Sequence, residues 1–185
     1  PLALASGLGF VIYFSFVVMT LREGDLSSYY PITRASPLFI VVFSYLFLEQ
    51  RYTWPLLLGI VMVFIGAFFL QYRRHSGLFA QPKTLFVAVL AMVVHGLITI
   101  VDARAVQVVE PMVQFFWVSL VAIVPSAVVF TIYKPKNRTT TEHLFAGWWH
   151  SPVSFLISGI SAYVSYILML SAFQLGGNVA ALSAA

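Results

Sequence analysis

Of 185 residues, 61% are hydrophobic and 9% charged, with a mean hydropathy of +0.94, whereas a soluble globular domain carries roughly 25% charged residues; a water-soluble fold does not fit. The sequence holds no Cys, which removes thiol catalysis, disulfides and Cys-based metal sites from consideration. The net charge of +4 sits mostly at the ends of apolar blocks, where bilayer anchoring explains it without a nucleic-acid partner.

The apolar residues form blocks of about 20, the length that crosses a hydrocarbon core of roughly 30 Å as a helix. The first predicted span, Leu2 to Leu21, ends at Arg22-Glu23-Gly24-Asp25. The second runs from about Tyr29 to Leu48 and the third from Thr53 to Tyr72, with Tyr52 and Trp54 as interface anchors. A polar linker over residues 73–83 precedes the fourth, Thr84 to Asp102. The fifth, Pro111 to Tyr133, starts on a first-turn proline and carries Pro125, which predicts a kink. After the polar stretch Lys134 to Thr141 comes the sixth, Pro152 to Gln174, and Asn178 to Ala185 reads as the start of a seventh. The blocks lack sustained apolar/polar alternation and are twice the length of a barrel strand, so helices are the spanning solution left. The expected fold is an all-α, polytopic transmembrane bundle in a plasma or inner membrane. No initiator Met stands before Pro1 and the last residues are apolar, from which we expect a longer protein.

A weak internal repeat organises these spans. Laying Tyr13 on Tyr166 also lays Phe10 on Tyr163, Gly24 on Gly177 and Asp25-Leu26-Ser27 on Asn178-Val179-Ala180. The unit repeats every five spans, and an odd period inverts the second unit. Inverted repeats recur in secondary transporters, with the substrate site near the midplane.

Tyr30-Pro31-Ile32-Thr33-Arg34-Ala35-Ser36-Pro37-Leu38, then Leu48-Glu49, then Leu58-Gly59 through Ile65-Gly66-Ala67, resemble an EamA-type repeat of the drug/metabolite transporter superfamily. That repeat has a proline-containing helix, a Gly-Glu or similar pair at its end, and a last helix with two glycines seven apart; Leu48 stands where the pair usually has Gly. The turn Arg22 to Ser28 is similar to the family's third-to-fourth helix connection. The resemblance implies that residues 1–72 are the last three helices of a first repeat and residues 84–185 the first three, with the start of a fourth, of a second. Two helices would precede and about two follow. It implies a transporter that moves a small metabolite or drug by alternating access, with no cofactor and no enzymatic step.

Ionisable groups inside spans are costly, about 2.5 to 3.5 kcal/mol for an arginine at a helix centre on insertion scales, so each needs an account. Arg34 lies between Pro31 and Pro37, which free backbone carbonyls. Either it faces a wet cavity and attracts an anionic substrate group, or it snorkels to the headgroups or makes a permanent ion pair. His95, Thr99 and Asp102 share one helical face. His95 and Asp102 are candidates for proton coupling, although Asp102 could simply balance Arg104 and His95 could be an interhelical hydrogen-bond partner. Tyr13, Tyr30 and Tyr166 are candidates to line the substrate path, with core packing as the alternative for the first and last. Trp117 stands near Glu110 and Gln114 at the start of the fifth span and is a further candidate substrate contact; Glu110 reads as a helix-dipole partner. The small residues Ser154, Ser158, Ser161, Ala162 and Ser165, and Gly59 with Gly66, predict close helix packing. Asn137-Arg138-Thr139 matches a glycosylation acceptor pattern that is common by chance.

Positive charge favours the cytoplasm, which would place Arg73, Arg74 and Lys83, and Lys134, Lys136 and Arg138, inside. The ten-helix pattern implied by the resemblance places the same loops outside. A membrane-embedded enzyme would need clustered acids or paired His and carboxylates, which the sequence does not offer; a non-transporting receptor or scaffold is the other alternative.

Overall fold

The computed structural model describes residues 1–23, 26–47, 51–71, 82–132 and 151–179. The linker at 73–81, the polar stretch at 133–150 with Asn137-Arg138-Thr139, Leu48-Glu49 of the EamA-like motif, and most of the expected seventh span lie outside the described residues.

Among the described residues every regular element is a helix: α1 (Leu2–Glu23), α2 (Leu26–Thr33), α3 (Ser36–Phe47), α4 (Trp54–Gln71), α5 (Pro82–Ala105), α6 (Pro111–Ile132) and α7 (Pro152–Gln174). Four of them, α1, α5, α6 and α7, are long and apolar enough to cross a membrane. The long apolar runs form helices because only internal hydrogen bonding satisfies their backbone once water is gone.

The second expected span is not one continuous helix. It breaks at Arg34-Ala35, where the Ala35 N–H turns back to the Ile32 carbonyl at 3.0 Å and the Leu38 N–H to the Ala35 carbonyl at 3.0 Å. The cause is legible: Pro37 has no N–H to give to Thr33, and it sits in the first turn of α3, the one place a helix tolerates it. Pro125, by contrast, lies within an α6 that continues through it to Ile132.

α5 is the hub, packing most extensively against α1 and also against α2, α3 and α7, while α6 packs on α1. Close approach rests on glycine. A Cβ on Gly7 would stand 2.8 Å from the Val121 side chain and 3.0 Å from the Val118 carbonyl, and one on Gly9 would stand 2.7 Å from Ile98. Between membrane helices, where lipid tails compete on equal terms, such contact is a main source of association. Where the sequence predicts tight packing elsewhere, the fold differs: Gly59 and Gly66 have nothing within 4 Å of a Cβ, and Ser154, Ser158, Ser161, Ala162 and Ser165 are exposed. No helix of the described residues crosses those faces closely.

Candidate functional site

The polar stripe of α5 carries the site. Asp102 is fully buried in the span. Three other helices supply its hydrogen-bond donors: Ser6 of α1 donates from Oγ to Oδ1 at 2.6 Å, Gln114 of α6 from Nε2 to Oδ1 at 3.1 Å, and Tyr166 of α7 from its hydroxyl to Oδ2. A carboxylate in an apolar span is tolerable only with its lone pairs satisfied, and this one ties four helices together. The Tyr166 ring is wedged between Phe10, at 5.7 Å edge-on, and Phe115, at 5.6 Å, so its hydroxyl has little freedom to leave the carboxyl.

Two turns earlier on α5, His95 Nδ1 lies 2.7 Å from the Ser36 Oγ, on the first residue of α3 just past the helix break. The Tyr13 ring packs against the imidazole, centroids 4.7 Å apart. Thr99, between the two centres, donates to the His95 carbonyl within its own helix. The stripe is thus two adjacent polar centres with separate partners.

The structure brings together most of the residues singled out in the sequence. Tyr13 and Tyr166, which the weak sequence repeat aligns, reach the same face of α5, one at His95 and the other at Asp102. Arg34 is exposed at the break between α2 and α3; Tyr30 lies on α2, its side chain outside what the structure describes. Trp117 stands apart, half exposed on α6 and lining an apolar hollow of about 770 Å³ with Leu2, Leu4 and Val113. Asp102 and Arg104 point to opposite faces of α5 at about 100° per residue, one buried and the other exposed, so Asp102 does not serve to balance Arg104. Sequence reasoning missed Ser6 and Ser36, and gave Gln114 no role at the carboxyl. Their only signal is a hydroxyl or amide inside an apolar run, and many such groups merely bond their own helix, as Ser15, Thr131 and Ser171 do here.

The second, proline-broken span and its Arg34 fall in the part of the chain that a known family also contains. Residues 1–72 match the model of the EamA-like transporter family. The match covers α1 to α4, including Ser6, Tyr13, Arg34 and Ser36, and is consistent with an EamA-type transporter of the drug/metabolite transporter superfamily. The matched family is one of transporters, and the match together with the four apolar helices supports an integral membrane protein. No curated protein and no solved structure matches the chain.

Proposed function

We propose that the chain is part of a multi-pass secondary active transporter that exports or exchanges a small metabolite or drug by alternating access, two inverted five-helix units rocking against each other. The observation that carries this reading is Asp102: a fully buried carboxyl in a span, held by donors from α1, α6 and α7. Intramembrane carboxyls mark ion and proton pathways, and this one is placed so that a change in its charge is felt by every helix it joins.

The chemistry follows from the donor set. As a carboxylate, Asp102 accepts from Ser6, Gln114 and Tyr166 at once. Once protonated it carries its own O–H, so one of those donors must turn its hydrogen aside and accept instead, which the hydroxyls of Ser6 and Tyr166 can do in place. Protonation therefore loosens the link between α5 and its neighbours, and the free energy of a proton gradient biases one arrangement over the other. His95, on the same face and hydrogen-bonded to Ser36, is the second candidate proton group. Arg34, at the discontinuous helix, sets the charge preference for the substrate; Tyr13, Tyr30 and Tyr166 line its path, and Trp117 offers a stacking face at the apolar hollow.

The test is flux. Full-length protein in proteoliposomes, offered a panel of labelled metabolites and drugs with and without a proton gradient, should accumulate at least one of them in a gradient-dependent way, and Arg34→Ala should abolish that accumulation with insertion intact. Absence of flux for every solute in a folded preparation would favour a receptor or scaffold, and wild-type rates with Arg34→Ala would remove Arg34 from the mechanism.

A further inference from the structure

On the face of α5 opposite Asp102, a hollow of about 370 Å³ opens where α3, α5 and α7 end together; Ser44, Ile100, Arg104, Gln107, Phe173 and Val179 are in its wall. Its size is at the lower end of small-molecule pockets, about 300 to 1,000 Å³. Among the described residues Arg104 is the only cation lining it, and it makes no ion pair with them.

The ordinary task of an arginine in a last helical turn is to satisfy the terminal carbonyls. Here that task is largely done by others. The Arg104 carbonyl accepts from the Gln107 N–H, the Ala105 carbonyl from Val108 and Val109, the Ser171 carbonyl from Leu175 and the Ala172 carbonyl from Gly177. The Phe173 carbonyl takes both the Gly176 N–H and the Gln107 side-chain amide at 2.9 Å. Gly176, with φ of 83°, makes the last of these closures possible, since a left-handed residue lets the α7 chain turn back on its own end. Among the described residues nothing takes up the donors of the guanidinium, which are left for a ligand. Around it, Gln107 retains a second amide hydrogen and its carbonyl oxygen, Ser44 brings a hydroxyl, and Phe173, Ile100 and Val179 supply apolar wall.

We propose that this hollow is a binding site for a small monoanionic carboxylate with an apolar body, its oxygens on Arg104 and its body against Phe173 and Ile100. One guanidinium matches one carboxylate in a paired, two-bond geometry; a dianion would need a second cation that the wall does not have. The site is independent of Asp102 and does not require that the protein transport its ligand.

Benzoate is the probe, with benzyl alcohol as its uncharged counterpart. Saturation-transfer NMR on full-length protein in phosphatidylcholine nanodiscs should show saturable binding of benzoate and none of benzyl alcohol. Arg104→Gln, a change at an exposed side chain, should weaken benzoate binding by about tenfold or more, in line with loss of a charge-assisted pair; Arg104→Lys should retain part of it, and Lys83→Gln, at an exposed cation on the opposite end of α5, should leave it unchanged. Competition by phosphatidylglycerol added to the nanodiscs would support the site and assign its oxyanion to a lipid headgroup; lack of competition would support it and assign a free carboxylate. Undiminished benzoate binding in Arg104→Gln, loss of it in Lys83→Gln alone, or equal binding of benzyl alcohol would overturn the proposal.

Discussion

The Tyr166 hydroxyl donates to the Asp102 carboxylate across the α5–α7 interface, and the same carboxylate holds α1 through Ser6 and α6 through Gln114. An ion inside a bundle is thereby also its cross-brace. Interhelical hydrogen bonds in membranes are each worth about 0.6 kcal/mol on average and about 1.7 at most, so each of the bonds to Asp102 contributes modestly to holding the four helices in this arrangement.

Tyr166→Phe removes the hydroxyl and keeps the ring between Phe10 and Phe115. The expected loss of stability is about 0.6 to 1.7 kcal/mol. Unfolding titrations of Tyr166→Phe, Asp102→Asn and the double variant should show less than additive losses, because both single changes disturb the same bond. Additive losses would mean that the two groups do not interact energetically.

Arg34 is exposed at the break between α2 and α3. The proposed function places it against water, whereas a snorkelling arginine would direct its stem along lipid. In a background without other cysteines, Arg34→Cys should react with a membrane-impermeant thiol reagent at a rate that changes when substrate is added. Val42→Cys, on an exposed apolar position of α3, should not react. Equal inertness of both positions would place Arg34 in the acyl chains.

Gly7 lies where α1 and α6 touch. Alanine is the better helix former by about 1 kcal/mol, so a Gly7→Ala change would stabilise α1 if propensity decided. With Val121 and the Val118 carbonyl in the way, overpacking instead costs about 1 to 3 kcal/mol. The expected result is a lowered unfolding midpoint in detergent; a raised one would mean that α1 and α6 are not so closely apposed.

Much of this was legible in the sequence because membrane constraints are coarse. Leu2 to Thr20 and Pro152 to Gln174 are apolar for the length of a bilayer, and only a helix can be built from them there. The stripe His95, Thr99, Asp102 was legible for a similar reason: spacing on a helix fixes a face before any partner is known. The helix break at Arg34-Ala35 was half visible. Pro31 and Pro37 signal freed carbonyls, but whether a proline kinks a helix or ends it depends on what neighbouring helices offer, and Pro125 in α6 ends nothing. The partners Ser6, Ser36 and Gln114 were hidden because side-chain hydroxyls and amides in spans usually bond their own backbone, and only tertiary packing tells the exceptions. The packing expected of Gly59, Gly66 and the α7 serines was misplaced within this chain for the same reason: a small residue permits a close neighbour without supplying one.

The most direct test of the central claim, that Asp102 couples proton movement to the rearrangement of the helices around it, is solute flux by an Asp102→Asn variant of the full-length protein in proteoliposomes. Asparagine keeps one carbonyl oxygen to accept from Ser6 and Gln114, turns an NH2 toward the Tyr166 oxygen, and cannot change charge. The account predicts that accumulation driven by a proton gradient is lost while exchange of solute at equal pH on both sides persists. Gradient-driven accumulation at the wild-type rate in Asp102→Asn would contradict it.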